Sequence, residues 1–175
     1  MSGSKLEEAG LRLTLNPFLV VWLSQSDEVL SMKALVESVG KVGSRVRLGE
    51  HELVFDQPRS VPGGEDRGPS PLDVMAAAVG ACAHYFAAAY LHGRGLPTEG
   101  LSVEVEGEKE RVPVSRIGRL VMRVRVPAGL SEKQVSGIER AIKSCPAYGT
   151  LLHSPSVDIT IDSGVAEAPT QAQSA

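Results

Sequence analysis

The stretch SPLDVMAAAVGACAHYFAAAYLHGRG, from Ser70 to Gly95, constrains the fold more than any other part of the chain. Ser70 is a favourable N-cap, Pro71 suits the first helical position and Asp73 stands at the third, so a helix is expected to start here. It runs to about His92, where Gly93 and Gly95 stop it. Met75, Val79, Cys82, Phe86 and Tyr90 form one apolar stripe, and alanines fill most of the remaining circumference. A helix that is apolar all round is buried, which puts this one at the centre of the domain or of an oligomer interface. Whether the cysteine in its middle packs or reacts is the chemical question it raises.

The flanking sequence reads as short strands and amphipathic helices, hence an α+β domain. SRVRLGEHELVFD gives two alternating runs around Gly49 and Glu50, as a hairpin does. The Gly- and Pro-dense QPRSVPGGEDRGPSP that follows is a loop. Leu101–Glu106 and Leu120–Val126 alternate strictly, as antiparallel strands with one wet face. Ser131 and Gln134 stand in capping-box spacing ahead of Val135, Ile138 and Ile142 on one helical face. Because Pro146 starts a helix and does not continue one, Cys145 is expected to cap a short helix ending near Leu152, and SVDITID to form a last strand. Upstream, SDEVLSMKALVESV carries helix-like apolar spacing after a Ser or Asp start, while LRLTL alternates like a strand. The expected organisation is an N-terminal extension over residues 1–32, one domain over 33–162 and a tail over 163–175.

Charge and composition exclude several classes. A net charge of -3, with Lys and Arg scattered among the acids, offers no basic field for nucleic acid or an anionic membrane. Aromatic residues make up 4%, too few for stacking platforms. The reading is therefore no nucleic acid, no membrane and a cytoplasmic location. The two cysteines of the chain are too few for a disulfide framework, and such a pair is inert, catalytic or redox-sensing. Thiols react as thiolates, and a helix N-terminus lowers a thiol pKa. On that rule Cys145 is the better candidate, while Cys82, a dozen residues into its helix, reads as core packing. His84 and His153 fit no usual zinc spacing with the cysteines, so no metal or cofactor is expected. With Tyr148, they read as packed residues or pocket walls.

GGEDRGPSPLDVMAAAVGAC, followed about sixty residues later by SCP, resembles the OsmC/Ohr superfamily of peroxide-handling proteins, over roughly Lys33 to Asp162. The resemblance implies curved antiparallel sheets wrapping central helices in a two-layer, intertwined homodimer, with active sites at the interface. It implies a thiol-dependent peroxidase for organic hydroperoxides, reset by a dithiol reductant, in which Cys82 attacks and Cys145 resolves. The better-known hydroperoxidases of that family polarise the thiol with an Arg and a Glu. Here the position after the helix-start proline holds Leu72, and Asp73 is turned away by about 100°. Arg59 and Arg67 are the candidate cations, and Glu65 and Asp66 could supply a carboxylate from the loop. The alternative implied by Leu72 is a non-catalytic dimer of the same fold that binds a small ligand or senses redox state.

Overall fold

The computed structural model describes residues 31–111 and 113–162. Three strands come first: β1 (Leu35–Val39), β2 (Gly43–Leu48) and β3 (His51–Phe55), an antiparallel sheet in the order β1-β2-β3. β2 and β3 meet with Leu48 opposite His51, and Gly49 takes φ +59° in the two-residue turn, as the hairpin reading requires. β1 corrects the helical reading of SDEVLSMKALVESV over its last residues, while 26–30 lie outside the described residues. Leu35, Val36 and Val39 suit either period, and pairing with β2, Val36 opposite Val46, selects the extended form.

The central helix α1 (Pro71–His92) starts as expected, with the Ser70 hydroxyl accepting the N–H of Asp73, and Gly93 closes it. It leads to the hairpin of β4 (Ser102–Glu110) and β5 (Arg116–Arg125), then to α2 (Glu132–Lys143) and α3 (Pro146–Leu152). The capping box at Ser131 and Gln134 is formed. β4 and β5 extend beyond the alternating runs through an irregularity between Glu108 and Lys109. Cross-strand pairs Glu106–Arg123, Glu108–Arg119 and Glu110–Arg116 line their outer face.

The core lies where α1 crosses α2 and rests on β4 and β5. Ala83, Ala87, Leu91, Ile138 and Ile142 are buried there, against Val103, Met122 and Val124. Burying a side chain such as Leu91 contributes about 1.5–3 kcal/mol. Close approach depends on small residues: a Cβ on Gly80 would lie 2.5 Å from Val105 Cγ2, and one on Gly137 1.9 Å from Tyr90 Oη.

Two expectations need correction. Among the described residues the buried stripe of α1 is Val79, Gly80, Ala83, Ala87 and Leu91 rather than the Met75–Tyr90 one, and Met75 and Tyr85 stay exposed. The stripe runs through the small residues because these let β4 and α2 approach. α1 has the length and hydropathy of a membrane span, yet its small-residue stripe receives β4 and α2. Secondly, SVDITID pairs with no strand among the described residues: residues 154–162 are exposed and carry no ladder partner there. Alternation specifies a face but supplies no neighbouring edge.

Candidate active site

The loop from Asp56 to Ser70 is built around one carboxylate. Asp56, 2% exposed at the end of β3, accepts the backbone N–H groups of Gln57 (2.7 Å), Arg67 (3.2 Å) and Glu65 (3.3 Å). Its own N–H donates to the Pro69 carbonyl at 3.2 Å. Burial works to raise its pKa, but those N–H groups and the Arg67 guanidinium outweigh burial and hold it below the usual carboxylate range. Arg67 Nε lies 3.5 Å from Asp56 Oδ2 and 3.2 Å from Glu65 Oε2, and Nη2 donates to the Val39 carbonyl. A Cβ on Gly40, which has φ +70°, would collide with that guanidinium. Arg67 thus ties the end of β1 to the loop that delivers α1.

The other loop candidates are placed differently. Arg59 is exposed and forms no ion pair among the described residues. Glu65 is held by Arg67, and Asp66 takes φ 58° as a turn residue, its N–H on the Gln57 carbonyl. Asp73 accepts the Ser70 hydroxyl at 2.6 Å and Lys109 Nζ at 2.9 Å, and these two contacts lower its pKa. That ion pair ties α1 to β4 across one end of a groove of about 610 Å³, lined by Leu72, Ala76, Gly80, His84 and Val105. Gly80 and Cys82 are about 200° apart around the helix, so the groove and the thiol occupy different faces.

Two free cysteines lie near each other at the start of α3. Cys145, 1% exposed, is the N-cap of α3, as the sequence predicts, and its Sγ accepts the N–H of Tyr148 at 3.4 Å. Cys82 is half-buried on α1 and neighbours Cys145, with no hydrogen bond of normal geometry between the sulfurs. Burial chiefly, then Cys82, push the Cys145 thiol up against the lowering influence of the Tyr148 and Ala147 N–H groups. The expectation of an activated Cys145 is corrected: desolvation outweighs a cap with seven helical residues behind it. No guanidinium hydrogen-bonds to either sulfur among the described residues. His84 borders the groove and His153 is the exposed C-cap of α3.

Asp56 and Lys109 were not singled out by sequence reasoning. Asp56 had a signal, an acid closing a strand ahead of a Gly- and Pro-rich loop, where such side chains accept local N–H groups. Lys109 had none, because its partner Asp73 is 36 residues away.

The fold and the thiol pair define a class: an α+β domain whose central helix carries a cysteine near a second one at a helix cap. The sequence model of the family described as OsmC-like protein matches residues 63–160, and the chain belongs to that family. No curated protein matches it. Among solved structures it is similar to a putative osmotic stress induced and detoxification response protein from Psychrobacter arcticus, at TM-score 0.62 and 17% identity over 70% of this chain and 90% of that one. It is similar to an OsmC-like protein from Mycoplasma pneumoniae at TM-score 0.55 and 18% identity, covering 74% and 91%. It also resembles an organic hydroperoxide resistance protein OsmC from Legionella pneumophila, at TM-score 0.52 and 18% identity over 70% and 90%. At these identities the likeness fixes the fold.

Proposed function

We propose that this chain reduces organic hydroperoxides through Cys82 and Cys145. The observation that supports the reading is the nearness of two free thiols, one half-buried on the central helix and one buried beside it. Cys145 keeps its proton, since its pKa is raised, which leaves Cys82 as the nucleophile. The Cys82 thiolate attacks the distal peroxide oxygen, the O–O bond breaks and the alkoxide leaves as alcohol after taking a proton. Cys82 is then a sulfenic acid. Cys145 attacks its sulfur, its proton passes to the departing hydroxyl, which leaves as water, and the pair is a disulfide. A dithiol reductant returns both thiols by exchange. In a reducing, cytoplasmic compartment the resting state is the free pair.

The cations take different parts in this reading. Arg67 is a positioning residue, engaged by Asp56, Glu65 and the Val39 carbonyl. Arg59 is the guanidinium left to meet the peroxide. We also assign the working unit as a homodimer. Met75 and Tyr85 are exposed on α1, and the β1–β3 sheet presents Val36, Val46 and Leu53 in one cross-strand row with no helix of the described residues packed on it. Such surfaces, self-complementary in a two-fold assembly, fit a second copy.

Steady-state consumption of cumene hydroperoxide with dihydrolipoamide as reductant tests the reading. The parent turns over, Cys82→Ser falls to the uncatalysed background, and Cys145→Ser stops after one equivalent with a sulfenic acid that dimedone traps. Equal consumption by parent and Cys82→Ser overturns it. The absence of a guanidinium at either sulfur favours a second reading, a dimer that binds a small ligand or senses redox state. That reading predicts stoichiometric oxidation of the pair without turnover.

A further inference from the structure

The two sulfurs of the thiol pair are covered to different degrees. Cys82 is half-buried, whereas Cys145 is 1% exposed within the described residues alone, so any further segment or second copy can only add to its cover. Cys145 is also held at three atoms. Its N–H donates to the Ile142 carbonyl at 3.0 Å, its carbonyl accepts the Gly149 N–H at 3.0 Å and its Sγ accepts the Tyr148 N–H at 3.4 Å. Turning it outward therefore breaks the first turn of α3 and the join to α2. We propose that the dithiol reductant makes its first bond to the Cys82 sulfur, with Cys145 as the departing thiol in every turnover. This rests on the peroxidase reading and says how the oxidised pair is reset.

In thiol–disulfide exchange a thiolate attacks one sulfur and expels the other, so the choice of sulfur depends on access and on the leaving thiol. Here the two oppose each other. Burial raises the Cys145 pKa, which makes Cys145 the poorer leaving group and by itself favours attack on its own sulfur. Access decides, because leaving ability only scales the rate of encounters that occur, and a nucleophile has to touch the sulfur it attacks. The Tyr148 N–H, already directed at Cys145 Sγ, donates to that sulfur as it departs. The step balances: one reductant thiolate bonds to Cys82 Sγ, the bond between Cys82 and Cys145 breaks, and Cys145 leaves with the electron pair and takes up a proton. The second thiolate of the reductant then attacks the reductant's own sulfur in the mixed disulfide. The reductant departs as its internal disulfide, and Cys82 is released as the thiolate that the next peroxide requires. Peroxide and reductant thus share one point of entry.

A monothiol probe, which stops at the mixed disulfide, tests the order of attack. The full chain is oxidised with one equivalent of cumene hydroperoxide, mixed with 2-mercaptoethanol and quenched with acid while most of the disulfide remains. Free thiols are then blocked with N-ethylmaleimide, and peptide mass spectrometry maps both labels. The expected product carries the probe on Cys82 and the maleimide on Cys145, in excess over the reverse arrangement by about tenfold or more. In guanidinium chloride, where burial is lost, the two arrangements should approach equal amounts. Probe found mainly on Cys145, equally on both sulfurs, or on neither in the folded protein overturns the proposal and leaves the peroxidase reading standing. A split unchanged in guanidinium chloride also overturns it, since burial is then not the cause. A pair that forms no disulfide with hydroperoxide overturns both.

Discussion

Gly137 sets how closely α2 passes beneath α1, and Gly137→Ala measures that closeness. An added Cβ would lie 1.9 Å from Tyr90 Oη, 2.2 Å from Cζ and 2.6 Å from Cε2, so the whole ring has to swing away. Forcing such a shift costs about 1–3 kcal/mol. Loss of the Arg94 guanidinium stacked 3.8 Å from the ring centroid adds about 0.5–1 kcal/mol. Against this, alanine in a helix interior gains about 0.5–1 kcal/mol over glycine. The net expectation is destabilisation of about 1–3 kcal/mol, read as a lower urea midpoint at unchanged slope. In a Tyr90→Ala background the obstacle is gone, and the same substitution should stabilise by about 0.5–1 kcal/mol. Because α2 leads into Cys145, Gly137→Ala should, on the proposed function, also slow disulfide closure after one equivalent of hydroperoxide. An equal effect in both backgrounds, or a parent-like midpoint, refutes the reasoning.

The Asp56 carboxyl is held below its ordinary pKa, so its contribution to stability is complete above about pH 4 and is lost as pH falls through the lower folded value. Asp56→Asn should flatten the acid limb of the stability curve in urea titrations between about pH 2 and 5. Cys145 has the opposite sign: its folded pKa is raised, so its contribution is complete below about pH 8.5 and falls as pH rises through the folded value. Cys145→Ser, which retains an oxygen to cap α3, should remove that alkaline loss. Ser70→Ala, deleting the acceptor for the Asp73 N–H, should cost about 0.5–2 kcal/mol by thermal or urea unfolding. Leu91→Ala in the fully buried core should cost about 2–5 kcal/mol by the same measurement.

What could be read from the sequence was local. The Ser70-Pro71 start, the box at Ser131 and Gln134, the Gly49 turn and the Cys145 cap each depend on residues within four positions, and each is formed. β1 was misread because a five-residue apolar pattern satisfies both periods, and the deciding strand begins four residues later. The buried stripe of α1 was misplaced because the helix is apolar on every side. Only the packing of β4 and α2 identifies the smallest face as the covered one. At the site, both cysteines were visible but their ranking was not: the helix cap is a sequence feature, whereas the burial that outweighs it comes from elements far along the chain. Arg67 was visible as a cation, and its engagement with Asp56 eleven residues upstream was not.

The Arg67 guanidinium also determines when the loop before α1 is ordered. It joins Val39, Asp56 and Glu65, so the turn around Gly64 is closed in the resting chain. Ordering a backbone residue costs about 1–2 kcal/mol, and for this stretch that cost is met during folding, before any ligand arrives. On the proposed function, a hydroperoxide arriving beside α1 meets a loop already in place. Sequence change at the exposed tip, at Ser60 and Val61, leaves the Ser70 cap behind it in place.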